Sequence, residues 1–297
     1  TWRSIFWINV PVAVVALVLT ARAKPAQDSK PGRIDMRGAV LVSAAMGLVV
    51  LGLQQAGTWG WADVRTIGCL VAGLVLTVAF VARELGASDP LIRVRLFLER
   101  GFAADNLVLL LMSAVFVPFF FFASVYAQAS LGYTSTEAGL FLLVFFGGFA
   151  TAAQFGGRIV DRRGARPSIV LGCAVSAVGL YLWGTQITDL SLNAQWHWIA
   201  LAGAGLGLVL GPVSTDALNR APGAGYGEVT GITQTARNLG ASLGLAIMGS
   251  LFLSENSDRV TTTLTARGVP TAEAERIAHT VTSAGGGGAG DVAARAG

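Results

Sequence analysis

Eight long apolar runs constrain this chain more than any other feature of its sequence. A helix needs about 20 mostly apolar residues to cross the roughly 30 Å hydrocarbon core of a bilayer. The runs reach or approach that length, and they do not alternate in polarity as the strands of a membrane barrel do. They lie at residues 5–21, 39–55, 66–82, 103–126, 139–156, 168–185, 197–218 and 229–253. The sequence therefore predicts an all-α polytopic membrane protein.

The charged residues exclude several other classes of protein. They make up only 13% of the 297 residues, against about 25% in soluble domains. They lie in short segments between the apolar runs and not along one face, which argues against nucleic acid binding. The sequence has no HExxH or Walker motif, and Cys69 and Cys173 share no metal-binding spacing. We therefore expect no enzyme activity, no metal site and no cofactor.

Basic residues alternate between successive loops. The first, third and fifth loops contain five, four and four Lys or Arg residues, the second contains only Arg65, and the fourth and sixth contain none. The seventh contains Arg220. Because Lys and Arg collect in short cytoplasmic loops, the odd-numbered loops are predicted to be cytoplasmic. The chain then enters from outside, and its polar tail lies outside.

The ends of the sequence suggest a longer parent protein. No methionine opens the chain, and Thr1 lies almost at the start of an apolar run. Near the other end, residues 271–283 predict a short helix with acidic residues in its first turn, and the glycine run at 285–288 has the composition of a linker. We interpret the chain as a fragment of a longer protein that lacks material at the front and at the back.

Small residues recur at helical spacing in the last two apolar runs. Gly203, Gly207 and Gly211 are four residues apart in the seventh run, and Gly240 and Gly244 are four apart in the eighth. Such residues share one helix face, where they let two backbones approach closely in lipid. We predict helix packing at these positions, and a rocking interface is the alternative.

Few ionisable groups lie within the apolar runs. Arg237 lies roughly 12 Å into the eighth run at 1.5 Å per residue. A charge at that depth costs on the order of 3 kcal/mol unless it is paired or snorkels to the interface. Asp216 has a matching depth in the seventh run, so the sequence predicts an Asp216–Arg237 ion pair.

Four other polar residues are candidates for a cavity or a proton-linked site. They are Asp105, Asn106, Gln154 and Gln234. For Asp105 the alternative is an acid stabilised near a helix N-terminus.

Two prolines and a phenylalanine run mark the interior of the spans. Pro118 and Pro212 are predicted to kink or loosen their helices. The phenylalanines at 119–122 either line an apolar substrate cavity or face lipid, and the sequence does not distinguish the two.

The fifth loop carries the most specific motif. Residues 156–167 read G-G-R-I-V-D-R-R-G-A-R-P, which resembles the signature cytoplasmic loop of the major facilitator superfamily, G-x-x-x-D-R-x-G-R/K. Ala165 stands where that signature has a basic residue. The resemblance implies a conformational latch formed by Gly157, Asp161, Arg162, Arg163, Gly164 and Arg166.

Three further stretches are similar to the 14-helix drug:proton antiporters of that superfamily. They are residues 2–11, 126–140 and 231–244, which resemble the start of helix six, the loop after helix nine, and helix thirteen. The resemblance implies an incomplete helical bundle of the major-facilitator type that holds helices six to thirteen.

The same alignment implies a division of the chain. Residues 1–21 end the amino-terminal half, 22–100 hold a cytoplasmic loop, a linker helix pair and the following loop, 101–253 hold five spans of the carboxyl-terminal half, and 254–297 form an extracytoplasmic polar tail.

The resemblance also implies a function. It predicts a bacterial plasma-membrane protein, monomeric, that exports small lipophilic or cationic compounds in exchange for protons by alternating access. The family's proton-linked residues lie in helices that precede this chain, so no coupling residue is assigned. A carrier of a sugar, peptide or siderophore on the same fold, and a truncated fragment without function, remain alternatives.

Overall fold

The computed structural model describes residues 3–22, 35–87, 90–221 and 224–283, which are helical almost throughout. The helices in these segments are α1 (Ser4–Arg22), α2 (Met36–Trp59), α3 (Val64–Gly86), α4 (Arg100–Ala129), α5 (Ser135–Arg163), α6 (Ala165–Gln186), α7 (Leu192–Asn219), α8 (Tyr226–Ala266) and α9 (Thr271–Ser283). Short 3-10 turns at Val94–Leu98 and Ile187–Asp189 precede α4 and α7. The described segments contain no strand, and the predicted all-α membrane class is confirmed.

Seven of the eight predicted spans, α2 to α8, are long and apolar enough to cross a bilayer. The run at 5–21 forms α1, whose apolar segment Phe6–Arg22 is shorter than the others. The chain divides into two compact units, Thr1–Ile34 with α1 and Asp35–Gly297 with the remaining helices. The boundaries implied after residues 21 and 100 stay predictions.

In the second unit, α7 is the most buried of the spanning helices, because glycines open two of its faces. A Cβ at Gly203 or Gly207 would lie under 3.0 Å from a backbone carbonyl oxygen of α5, and one at Gly205 would collide with the backbone of α6 at Ser176. Close backbone approach through small residues is how helices associate in lipid, where no hydrophobic force brings them together.

Close backbone approach at glycines also joins α8 to α4. A Cβ at Gly240 would overlap the carbonyl of Leu110, and one at Gly244 would overlap the carbonyl of Ala114. Gly211 differs, because a Cβ there would meet nothing within 4 Å among the described residues. Four of the five glycines named from the sequence thus lie at helix crossings, and Gly211 does not.

The phenylalanine run splits between the protein interior and the surface. Phe119 is buried, stacks on Phe145 at 4.4 Å between ring centroids, and contacts Trp183 at 5.3 Å. Phe121 is 57% exposed. Helix α4 continues through Pro118, so the run follows helical periodicity, with one side packed and the other turned outward.

Helix α8 extends past residue 253, where the last apolar span was predicted to end. Helix α8 continues to Ala266 and contains 41 residues, roughly 60 Å at 1.5 Å per residue and about twice the bilayer core. Beyond residue 253 the sequence becomes polar. An ion pair between Arg259 and Glu255, one turn apart on the helix (2.9 Å), stabilises the helical conformation there. The helix stops before Gly268, which has a φ of +89°.

The predicted short helix at residues 271–283 is confirmed as α9. It packs against α8 through Ala274 and Ala278, both fully buried. The first part of the predicted tail is therefore a helical hairpin joined at Gly268.

Contacts between loops agree with the alternation of basic residues. The loops predicted to be cytoplasmic meet through Arg83–Asp35 and Arg93–Glu228. Tyr126 Oη, near the end of α4, donates to the Ile187 carbonyl of the sixth loop at 2.8 Å. The contacts that these residues form agree with the predicted sides of their loops.

Candidate functional site

The motif of the fifth loop forms the junction between α5 and α6. Helix α5 ends at Arg163 and α6 begins at Ala165, so Gly164 alone connects them. Gly164 has a φ of +79° and a ψ of 175°, a region essentially restricted to glycine. This geometry accounts for the second glycine of the motif.

Gly157, the first glycine of the motif, does not lie at a close helix approach, but its neighbour Gly156 does. A Cβ at Gly157 would meet nothing within 4 Å, whereas one at Gly156 would lie 3.1 Å from Pro212 Cγ. The close approach to α7 is therefore at Gly156. It is reinforced by Ser168 Oγ, which donates to the Leu208 carbonyl at 2.7 Å.

The charged side chains of the motif are exposed. Asp161, Arg162, Arg163 and Arg166 lie around the α5–α6 turn. Within the described residues the Asp161 carboxylate forms no hydrogen bond or ion pair. The turn therefore presents a carboxylate and three guanidinium groups at the end of the bundle predicted to be cytoplasmic.

Helix α4 contains a buried carboxylate. Asp105 is 5% exposed, and its Oδ2 is 3.3 Å from Arg220 Nε. The same Nε is 2.7 Å from Asp216 Oδ2, and Arg220 Nη1 is 3.9 Å from Glu99 Oε1. One guanidinium group thus serves three carboxylates, two of them largely buried.

Local sequence explains how Arg220 reaches α4. Arg220 follows the last residue of α7, one turn after Asp216, where a cation also complements the helix dipole. Gly101 leaves room for the guanidinium, because a Cβ there would lie under 3.0 Å from it. The hydrogen bond to Asp216 raises the pKa of Arg220, and the charges of Asp105 and Glu99 add to the effect.

The predicted Asp216–Arg237 pair does not form. Asp216 pairs with Arg220, and within the described residues no ion pair includes Arg237, which is half-buried in α8. A partner one turn away on the same helix needs no second helix to be positioned. The prediction compared only the depths of Asp216 and Arg237, and it did not consider Arg220, which is nearer to Asp216.

The other polar candidates divide into one buried and two exposed residues. Asn106 is 5% exposed, and its Nδ2 donates to the Phe102 carbonyl at 2.9 Å. Its Oδ1 has no hydrogen-bond partner among the described residues. Gln154 and Gln234 are exposed, and Gln234 bonds to Asn238 in its own helix at 3.3 Å.

Sequence reasoning missed two polar contacts at the same end of the bundle. Arg93 donates to Glu228 through its backbone N–H (2.6 Å) and through its guanidinium (3.1 Å), which ties the segment before α4 to α8. Glu84 is buried and accepts from the Ile92 N–H at 3.1 Å. The Arg93–Glu228 contact could have been predicted, because both residues lie in loops that the sequence places on the same side of the membrane.

It also missed a polar bridge at the opposite end. Gln195 is fully buried, accepts from Trp183 Nε1 at 3.0 Å, and donates to Tyr126 Oη at 2.8 Å. The seventh apolar run was taken to begin at residue 197, which left Gln195 in a loop. Helix α7 begins at Leu192 and carries Gln195 into the bundle.

The Asp35 carboxylate provides a pH test of the linker helices. Arg83 donates to both of its oxygens (2.8 Å for Nη2 to Oδ1), and this contact, with the Gly38 N–H, lowers the pKa of Asp35 to about 2. Because the folded pKa lies below the unfolded value of about 3.9, the stabilisation is present above about pH 4 and is lost as the pH falls through about 2.

We expect Asp35→Asn to remove this part of the acid dependence. Thermal unfolding of wild type and variant in detergent, measured from about pH 5 to about pH 2, reports it. The wild-type melting temperature should fall more steeply than that of the variant as the pH decreases. Parallel curves would contradict the assignment.

Comparisons with known proteins match this architecture. The family model of the Major Facilitator Superfamily matches residues 1–245. The chain is 32% identical over 259 residues to the tetracenomycin C resistance and export protein of Streptomyces glaucescens (86% of this chain, 48% of that protein). It is 33% identical over 262 residues to a cephamycin export protein of Amycolatopsis lactamdurans (84% and 52%).

A third relative is named for a lipid and not for an antibiotic. The chain is 30% identical over 269 residues to a triacylglyceride transporter of Mycolicibacterium smegmatis (84% and 47%). The chain spans about half the length of these curated relatives. By the match over residues 1–245 and the seven spanning helices, the chain belongs to the major facilitator superfamily and is a multi-pass protein of the bacterial plasma membrane.

Proposed function

We propose that this protein exports lipophilic, often cationic antibiotics or drugs in exchange for protons, by alternating access. The observation that carries the proposal is its similarity to two proteins whose names state antibiotic export. The motif at the α5–α6 turn supports the same proposal. A transporter that alternates between two states needs contacts that form in one state and break in the other.

The exposed charges of the α5–α6 turn are suited to such a contact. Among the described residues, the Asp161 carboxylate forms no hydrogen bond or ion pair. Gly164 sets the angle between α5 and α6 at the turn that carries this carboxylate. A charged contact at a protein surface is individually weak, so it breaks readily when the protein changes state. We assign the latch to Asp161 and Arg162, with Arg163 and Arg166 beside them.

For the proton, Asp105 is the best candidate on this chain. It is buried, its neighbours are Asp216 and Glu99 as like charges and Arg220 as the shared cation, and it lies next to Asn106. Burial and like charges favour the protonated form of a carboxyl group, and a cation opposes this. Protonation of Asp105 would leave Arg220 paired with Asp216 and Glu99, and it would weaken the contact of Arg220 with the buried part of α4.

An efflux measurement tests the proposal. Cells of a drug-sensitive bacterium that express the full-length protein are loaded with ethidium, and its loss is followed with and without a protonophore. We expect rapid loss that the protonophore abolishes and that Asp161→Asn slows severalfold. Asp258→Asn, which removes an exposed acid in the polar part of α8, should leave the rate unchanged. Loss at the rate of cells without the protein would overturn the proposal.

The triacylglyceride transporter among the relatives favours a second candidate, export of a neutral lipid. Vesicles that contain the protein and a fluorescent triacylglyceride separate the two, because a lipid exporter transfers the lipid and leaves ethidium efflux at background.

A further inference from the structure

Helix α8 carries a charged side chain that stands without a partner in the described part of the chain. Arg237 is half-buried, and its guanidinium forms no hydrogen bond, ion pair or ring contact with a described residue. By contrast, Arg83, Arg93 and Arg220 are each paired with an acid. A guanidinium does not lose its proton in a protein, so burial does not neutralise Arg237. Its charge needs water or an anion.

The depth of Arg237 limits what can meet this charge. Helix α8 begins at Tyr226, at the end of the bundle predicted to be cytoplasmic. Arg237 lies roughly 16 Å further along the helix at 1.5 Å per residue, near the middle of a hydrocarbon core about 30 Å thick. Charged residues at such depth almost always face the interior of a bundle or a water-filled cavity, and secondary transporters bind their substrates there.

The neighbours of Arg237 on the same side of α8 are also polar. Gln234 and Asn238 are exposed, and the helical spacing places both of them beside Arg237. Gln234 Nε2 donates to Asn238 Oδ1 at 3.3 Å, which leaves the two N–H groups of the Asn238 amide without a partner among the described residues. This side of α8 therefore presents hydrogen-bond donors next to a positive charge.

Two acids that could have neutralised Arg237 are engaged elsewhere. Asp216, at a matching depth, pairs with Arg220 at 2.7 Å, and Glu228 in the first turn of α8 pairs with Arg93 at 3.1 Å. The guanidinium and the amide donors are therefore left for an anion from outside the described residues. A guanidinium binds a carboxylate or a similar oxyanion through two parallel N–H···O bonds, and these are stronger than neutral hydrogen bonds.

We propose that Arg237, with Asn238 beside it, binds the acidic group of a transported compound. The inference deepens the proposed function and rests on it, because it adds lipophilic carboxylic and sulfonic acids to the compounds that the protein exports. An anionic lipid offers the same chemistry, but its headgroup lies outside the hydrocarbon core, whereas Arg237 lies near the middle. We therefore assign the site to a transported acid.

A matched pair of probes isolates the acidic group. 8-Anilino-1-naphthalenesulfonate and N-phenyl-1-naphthylamine share one ring system and differ by a sulfonate, and both fluoresce when they enter an apolar site. Affinities are measured for the full-length protein in phosphatidylcholine nanodiscs, with emission excited through tryptophan and empty nanodiscs subtracted. The affinity of the sulfonate is divided by that of the amine, because partition of the shared rings into lipid then cancels between variants.

Variants at Arg237 should change this ratio. We expect Arg237→Met to lower it about tenfold or more, the effect of one charge-assisted hydrogen-bonded contact. Arg237→Lys keeps the charge and loses the planar fork, so it should lower the ratio by less. Arg259→Met removes an exposed arginine further along α8 and should leave the ratio unchanged. Melting curves show whether the variants are folded.

The outcomes separate this site from its alternatives. An equal ratio in wild type and folded Arg237→Met would overturn the proposal, and so would an equal fall in Arg259→Met. Phosphatidylglycerol in the nanodiscs should preserve the difference between wild type and Arg237→Met, and its loss would assign Arg237 to lipid headgroups instead. Proton-driven ethidium efflux with an unchanged ratio would reject this inference alone, whereas a lowered ratio without ethidium efflux would reject the export of lipophilic cations and support the acid site.

Discussion

Gly207→Ala should lower the free energy of unfolding by about 1–3 kcal/mol, the usual cost of inserting a carbon into a packed core. The new Cβ would lie under 3.0 Å from the Phe149 carbonyl oxygen, which belongs to the backbone of α5 and has no rotamer to adopt. The helices α5 and α7 must then separate along their crossing. Denaturant titration in detergent micelles measures the loss.

Gly211→Ala is the matched control, on the same helix and one turn away. Its Cβ would meet nothing within 4 Å, so the only expected effect is the better helix propensity of alanine, about 1 kcal/mol at most. The two substitutions are therefore predicted to have opposite signs. If both destabilise equally, or if Gly207→Ala is neutral, the close crossing of α5 and α7 is incorrect.

Arg220→Met should have the second largest effect, a loss of about 2 kcal/mol. It leaves Asp105 and Asp216 without their cation, and removing one partner of a fully buried pair costs about 3–5 kcal/mol. The Arg220 side chain is 39% exposed, so solvent screening places the expected value below that range. Unfolding of the variant in detergent gives the number.

A double variant isolates the cause. Asp105→Asn with Arg220→Met removes the buried carboxylate as well as its partner, and we expect it to recover more than half of the loss. Arg259→Met, in the exposed Glu255 pair, serves as the control and should change stability by less than about 0.5 kcal/mol. A double variant no more stable than Arg220→Met would mean that Asp105 does not depend on this cation.

The fold was largely predictable because bilayer thickness imposes a length on each apolar run. Seven runs became helices long enough to span a bilayer, and all of them except α8 end close to their predicted bounds. Helix α8 extends past the predicted end of its apolar run because hydropathy reports where a helix leaves the lipid and not where the helix ends. Residues 254–266 lack glycine and proline, and helical hydrogen bonds continue until Gly268.

The candidate site was less predictable, because polar contacts depend on which helices are neighbours. Depth along a span suggested Arg237 for Asp216, but the i, i+4 spacing on α7 selected Arg220. Asp105 and Asn106 were named from the sequence, yet their burial and the acceptor left on Asn106 appear only when α4 packs against its neighbours. The residues of the α5–α6 turn were identifiable from the motif alone, and their role as a latch stays a prediction.

The most direct test of proton-coupled export uses the purified full-length protein in liposomes with an acidic lumen and an entrapped pH-sensitive dye. Ethidium is added outside, and the lumenal pH is followed. If export is coupled to protons, ethidium entry drives protons out and the lumen becomes alkaline faster than in liposomes without protein, and Asp105→Asn reduces this rate. Ethidium uptake without any change in lumenal pH, or no uptake at all, would contradict the proposed antiport.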